Sequence, residues 1–464
     1  MKRTQIAEPA RTIPVLREVD VLVAGGGTAG MIAGLAAARA GASTLVLERL
    51  NCLGGNFTAG LMTTTWTMND QKKLIVKGIP LELIERLEED GGTIKGDKSK
   101  DTFVNYDTEL AKFIITELYA AEKNLEILYY AWVCDTIVED NTVKGVIIET
   151  KSGRRAILAK TVVDATGDAD VAARGGAEYR MAPRNELHPV SLLAKIANVN
   201  VEELNAYYKQ HPDQIGDFLR GSPYTGFHSF RLNKELAGIP LPDELEYLRD
   251  WFILYYSTPR KGDFILNMTG ETGIDGTNAE EVSRAELVSR KRLSQALEVF
   301  KKHMPGFQDA YFTTTAQTLG VRETRRILGS LVLNRENVLA NSKYEDAVCS
   351  YHAPVAIHTA DGKNIDFEDL KPGTSYDIPL RCLVPKSLDG ILVTGRSISV
   401  EANIIGTIRN MTSCLALGQG AGVAAALASA KGIAPRAIKN EDLQDALLGQ
   451  GVYLEGRSNL ENRR

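Results

Sequence analysis

The residues of plainest chemical meaning are Gly25, Gly27 and Gly30, spaced Gly-x-Gly-x-x-Gly, and Glu48, 18 residues beyond the last glycine. Gly25 permits a tight turn, Gly27 lets backbone approach a pyrophosphate, and Gly30 lets a helix pack close on a strand. The helix start adds free N–H groups and a positive dipole end. Glu48 can accept hydrogen bonds from both hydroxyls of a ribose and would repel a 2′-phosphate, which disfavours NADP. These residues leave FAD and NAD open.

Other groups carry weaker signals. "GVRETRRIL" holds Arg322, Arg325 and Arg326 within five residues. On a helix Arg322 and Arg325 share a face, with Arg326 beside it. Such a face can clamp a carboxylate, or it can pair with acids such as Glu323 in a structural helix. His358, in "SYHAPVAIHTADG", is the candidate for proton transfer, because an unshifted imidazole titrates near neutrality. A half-buried or surface histidine reads as well from the sequence, and His352 is weaker still. The six histidines lack metal spacing, so no metal site is expected. The five cysteines are dispersed, with no C-x-x-C, and read as reduced thiols of a cytoplasmic protein.

The elements around the glycines support the first reading. Val19 to Ala24 suits a buried parallel strand, Ala33 to Ala40 are small residues at helical period, and "STLVLE" makes a second strand after Gly41. That complete βαβ frame lifts the glycine motif above chance. A chain of 464 residues needs two or three domains. A net charge of −5 gives no reason to expect nucleic acid or acidic membranes as partners. The first 20 residues hold no apolar run of signal-peptide length. The apolar stretch Leu415 to Ala428 is glycine-broken and short of a membrane span.

Three later features decide between the nucleotides. Gly54-Gly55 follows Glu48 too soon for another crossover helix, which suits an extended ligand lying past the ribose towards a ring system. The strand Thr161 to Ala165 ends in "ATGD", placing Gly167 at a carboxyl strand end, where open α/β sheets bind ligands. "GILVTGR" is another strand, ending in Gly395, and a small-residue helix opens at about Gly406. In a flavin the group facing that helix would be the N1–C2 carbonyl edge, which becomes negative on reduction. Cys52 could approach such a ring as a redox thiol, but without a partner cysteine it reads as an inert small residue.

The segments "VLVAGGGTAG", "LERLNCLGGNFTAGL", "VVDATGDADVAARGGA", "NMTGETGIDGTN", "YDIPLRCLVPKSLDGILVTGRSIS" and "IRNMTSCLALGQGAGVAAALA" follow in order along residues 18 to 430. So arranged, the chain resembles the bacterial FAD-dependent oxidoreductase family, with a glutathione-reductase-like FAD fold related to fumarate reductase flavoproteins. The resemblance implies FAD as cofactor. Gly25, Gly27 and Gly30, with Gly26, Thr28 and Ala29, would hold its pyrophosphate. Glu48 and Arg49 would meet the adenosine ribose, and Val133 the adenine. Gly54, Gly55 and Asn56 would run beside the ribityl chain, and Ala165, Thr166 and Gly167 would close over the adenosine diphosphate half. Gly395, Arg396, Gly406, Thr407 and Ile408 would line the pyrimidine edge of the flavin. The catalytic candidates, Arg322, Arg325 and His358, do not transfer from the family in this way.

Two departures from the family pattern leave the chemistry open. Relatives carry tyrosine and aspartate before the position of His358, where this chain has Ala353 and Ala356. Relatives often carry a histidine near Ala402. The expected fold is α/β: a Rossmann-like FAD-binding domain with parallel sheet plus β-meander (15–60, 105–180 and 375–435), an inserted α+β substrate cap (61–104 and 181–374) and a polar tail (451–464). Helices are expected at Asp107 to Asn124, Pro242 to Tyr256 and Asn278 to His303, and a strand in "GDFILNMTG". The expected activity passes hydride from a small hydroxyl- or carboxyl-bearing substrate to flavin N5. Oxygen, a quinone or a protein would then take the electrons, and the chain could form a homo-oligomer. The alternatives are a hydratase or isomerase that uses FAD without net redox, and an electron-transfer subunit.

Overall fold

A computed structural model describes residues 6–94, 96–101, 103–212, 228–230, 236–249, 254–358 and 365–455. The N-terminal βαβ unit is β1 (Val15–Ala24), α1 (Thr28–Arg39) and β2 (Thr44–Leu47). α2 (Thr108–Ala120) starts at Asp107, whose carboxylate accepts the amides of Glu109 and Leu110. It leads into β3 (Leu125–Leu128), β4 (Trp132–Glu139), β5 (Thr142–Glu149) and β6 (Arg155–Asp164). The sheet order is β3-β2-β1-β6-β5-β4, and Ile391–Val393 adds beside the end of β6. β3, β2, β1, β6 and Ile391–Val393 run parallel, and the β4–β5 hairpin is the antiparallel meander.

The register aligns the strand ends. Leu47, Ala24, Asp164 and Val393 form one row across the sheet. The chain therefore leaves the same edge at Glu48, Gly25, Ala165 and Thr394, and ligands of open α/β sheets bind at that edge. From β2 to Ile391–Val393 is three strand steps, about 14 Å.

α1 packs against the helix Met411–Lys431 through small residues. A Cβ on Gly418 would stand 2.2 Å from the Ala29 carbonyl oxygen, and one on Gly422 2.3 Å from that of Ala33. Here the long helix starts at Met411, after a short turn of helix at Ile405–Ile408, and not at Gly406. By length and composition its 21 residues could cross a membrane, longer than the stretch read from sequence, but 94% of the apolar window is buried inside the protein.

The cap is a five-stranded antiparallel sheet in the order His228–Phe230, Leu254–Ser257, Phe264–Asn267, Ala194–Ala197 and Tyr311–Thr315. The helix Ala279–His303 covers a core that includes Phe264, Phe300 and Phe307, and Asn278 caps it. Two expected helices are absent. Pro242 to Tyr256 divides into a 3-10 turn, Asp243–Arg249, and the strand Leu254–Ser257, where sheet pairing overrides helical period. "GVRETRRIL" is irregular up to a two-residue strand, Arg326–Ile327, paired with Tyr179–Arg180. Its three arginines are drawn to three different partners, so they do not share a helix face.

The core around α1 also takes in residues of 75–87 and 347–370, stretches expected in the cap. Val452, Tyr453 and Leu454 are buried in it too, although they begin the expected polar tail. Residues 456–464 lie outside the described residues.

Candidate active site

A cavity of about 550 Å³ lies along the carboxyl edge of the sheet, walled on its other side by cap residues such as Ser191, Leu193 and Gln317. Its size suits a cofactor or small-molecule site. Fifteen of the residues expected at a site line it. Gly25, Gly27, Thr28 and Ala29 come from the first loop, Glu48 and Arg49 from the end of β2, and Gly55 and Asn56 from the glycine pair. Val133, Ala165, Thr166, Gly167, Gly395 and Arg396 line it from the other strand ends, and Arg322 from the cap.

The glycines of the loop do different work. Gly25 has φ +98°, and a Cβ on it would meet the Ala165 carbonyl oxygen at 2.6 Å. A Cβ on Gly30 would stand 1.9 Å from the Gly25 carbonyl oxygen. Both are glycines because of the protein's own backbone. Gly27 is not: φ −66° and ψ −168° suit any residue, and a Cβ there would meet no protein atom within 4 Å. Only something filling the cavity requires a glycine at this point. No side chain caps α1, whereas Asp107 and Asn278 cap the helices they precede. The first amides of α1 are thus left for a ligand. These features fit a bound pyrophosphate.

Glu48 is buried, with its Oε2 accepting the Gly26 amide and its Oε1 the Leu50 amide, each at 2.9 Å. Burial raises its pKa, against the pull of those amides and of Arg49. Each carboxyl oxygen keeps a second lone pair for a ribose hydroxyl. Gly26 and Gly54 do not line the cavity. Gly26 supplies the Glu48 amide contact, and the Gly54 carbonyl accepts the Thr28 hydroxyl at 2.9 Å.

At the other end of the sheet Arg396 lies over Gly167 and donates to Asp168 Oδ1 at 2.6 Å. Asp168 also accepts the Thr324 hydroxyl, at 2.7 Å, which ties the cap to the sheet edge. Arg322 reaches the cavity and donates to the Pro189 carbonyl. Arg409 lines the same cavity. Burial lowers the pKa of Arg322 to about 10. Burial, then the neighbouring charge of Arg322, lowers that of Arg409 to about 9. Both stay cationic at neutral pH.

Several expected residues stand elsewhere. Arg325 pairs with Asp170 at 2.9 Å, stacks on Tyr179 and does not line the cavity, so it takes the structural alternative. Gly406, Thr407 and Ile408 are buried off the cavity, and the Thr407 hydroxyl bridges the Ala356 amide and the Pro354 carbonyl. The wall begins at the next residue, with Arg409, and continues with Met411 and Cys414. His358 ends the strand Val355–His358, and its side chain lies outside the described residues. His352 is buried with Nδ1 2.7 Å from the Thr374 carbonyl, away from the cavity. Among the described residues no histidine lines the cavity. Cys52 is off it as well, and burial raises its thiol. Cys414 lines it with a thiol pushed up by burial to about 12, hence uncharged at neutral pH.

Sequence reading passed over Arg409. Its signal is that it is the lone cation between Arg396 and Lys431 in an apolar stretch, and such a charge is rarely buried without a task. It also passed over His188, which is buried beside the arginines with its amide bonded to Glu323 at 2.9 Å. Burial first, then Arg409, Arg322 and Arg326, press its pKa down to about 2. The unfolded chain takes up a proton near pH 6.5 that the folded state refuses, so stability falls as pH drops below 6.5. The expected loss between pH 6.5 and 5 is about 2 kcal/mol. Urea midpoints at the two pH values check it, and His188→Gln is expected to flatten that slope. An unchanged slope would place the acid sensitivity elsewhere.

Sheet and cavity together define an α/β fold of the dinucleotide-binding kind, whose strand-end edge is roofed by the cap. The chain belongs to the FAD dependent oxidoreductase family, whose profile matches residues 20–447. It is 33% identical over 165 residues to a thiamine thiazole synthase of Methanococcus aeolicus, a match covering 33% of this chain and 57% of that one. It is 35% identical over 101 residues to a 3-oxosteroid 1-dehydrogenase of Mycolicibacterium smegmatis, covering 21% and 18%. The chain spans less than two thirds of the length of these relatives. A solved geranylgeranyl bacteriochlorophyll reductase-like protein of Thermoplasma acidophilum is 15% identical, with a TM-score of 0.48 covering 94% of this chain and 84% of that one.

Proposed function

We propose that this enzyme oxidises a small carboxylate-bearing substrate, held by Arg322 and Arg409 between the cap and the sheet edge. The observation that carries the reading is the pairing of those two cations on one cavity wall, close enough for the charge of Arg322 to lower the pKa of Arg409. A guanidinium in a low-dielectric pocket is a strong, planar partner for a carboxylate. Gly27 and the open start of α1 would hold the pyrophosphate of FAD, and Glu48 its ribose. When bound, FAD supplies the two-electron acceptor, taking hydride at N5. The cap strand and loops around Leu193 and Gln317 would keep water from that end. Oxygen, a quinone or a protein would take the electrons onward, in a cytoplasmic setting.

Anaerobic mixing with small metabolites tests this. Bleaching of the flavin by a carboxylate supports it, whereas turnover without bleaching would support a hydratase or isomerase. Glu48→Arg tests the ribose site: FAD content is expected to fall, because an acceptor becomes a donor-only cation. Stability is expected to fall too, by about 1–3 kcal/mol, as the amides of Gly26 and Leu50 lose their acceptor. Unchanged FAD content would contradict the assignment.

A further inference from the structure

The two cavity arginines come from different parts of the fold. Arg409 stands on the sheet side, between the short helix Ile405–Ile408 and the long helix Met411–Lys431, and Arg322 reaches the cavity from the cap. A clamp with one jaw on each part works only if the spacing of the jaws is fixed. Residues 321–325 are irregular, so no helix or strand ladder fixes the place of Arg322. On the cap side Ser191 and Gly320 exchange amide–carbonyl bonds of 3.2 and 2.7 Å, and the His188 amide donates to Glu323. Those bonds hold the stretch to the cap and leave its distance from the sheet edge to other contacts.

Two residues beyond Arg322, the buried Thr324 makes such a contact. Its hydroxyl donates to Asp168 Oδ1 at 2.7 Å, and its methyl packs so closely on Gly276 that a Cβ there would stand 2.9 Å from it. The same Asp168 oxygen accepts Arg396 Nη2 at 2.6 Å, and Asp168 and Arg396 both line the cavity. One carboxyl oxygen thus joins the strand-end edge to the stretch that carries Arg322.

We propose that Thr324, acting through Asp168, is a positioning residue that sets the gap between Arg322 and Arg409 and with it the affinity for a substrate carboxylate. The inference rests on the reading that these two arginines hold that carboxylate. Thr324 does not line the cavity, so it works through the placement of Arg322 and not by contact.

Propionate and benzoate, each against its neutral amide, are the probes. They are titrated into the FAD-loaded protein and followed by calorimetry and by the shift of the flavin absorption bands. Thr324→Val keeps every charge and removes the hydroxyl, so its effect is one of position. Carboxylate affinity is expected to fall about fivefold to tenfold, with amide affinity and FAD content unchanged. Thr324→Ser should restore it to within about twofold of wild type. Arg325→Met loosens the same stretch at a point off the cavity and should also stay within about twofold. Thr324→Ala serves if the valine variant does not fold. Carboxylate affinity in Thr324→Val equal to that of the wild type would overturn the proposal. So would an equal loss in Arg325→Met, which would make Thr324 a structural contact only. A wild-type protein that binds the carboxylates no better than their amides would instead overturn the carboxylate site, and this positioning role with it.

Discussion

Gly27→Val is expected to give a folded protein that cannot keep FAD. Its backbone angles are open to any residue, and its Cβ would meet no protein atom within 4 Å. The apoprotein should therefore melt where the wild type apoprotein melts. The branched side chain would stand where a phosphate must approach the α1 amides. Losing one or two charge-assisted hydrogen bonds there lowers affinity roughly 100-fold. Gly30→Ala is the informative contrast. Its methyl group would collide with the Gly25 carbonyl at 1.9 Å, so the apoprotein itself should lose about 1–3 kcal/mol. Differential scanning of both apoproteins, with FAD titration, separates a glycine required by the fold from one required by the ligand. Wild-type FAD occupancy in Gly27→Val would contradict the placement of the pyrophosphate.

Arg322→Met and Arg409→Met are expected to keep FAD and to lose reduction by carboxylates. Each removes one charge-assisted partner of the substrate, worth about 10- to 100-fold in kcat/KM. The two effects should not add. Both would bear on the same carboxylate, so removing one changes what the other contributes. Arg325→Met gives the comparison from the same segment: its guanidinium serves Asp170 and Asp168, so stability should change and substrate preference should not. Equal rates in all three variants would remove the arginines from substrate binding.

What was legible in the sequence was whatever local spacing fixes. The βαβ frame, its glycines, Glu48 and the strand-end glycines 167 and 395 all reached one edge, because a parallel sheet aligns its carboxyl ends. The arginine segment misled because its helical reading came from charge spacing, with no apolar face to hold a helix. Pro242 to Tyr256 misled because Tyr255 and Tyr256 pair on both sides, with His228–Phe230 and with Phe264–Asn267, and that pairing outweighs local helical period. Arg409 directly follows the residues expected, and its place on the wall depends on where Thr407 anchors the strand Val355–His358.

The most direct measurement is the anaerobic loss of flavin absorbance, near about 450 nm, on mixing the FAD-loaded protein with matched small molecules. Each pair would differ only in bearing a carboxylate or the corresponding neutral amide. Bleaching by the carboxylate members, at least about tenfold faster than by their amides, is the predicted result. Equal bleaching by both, or none by either while dithionite still reduces the flavin, would contradict a carboxylate substrate oxidised at this site.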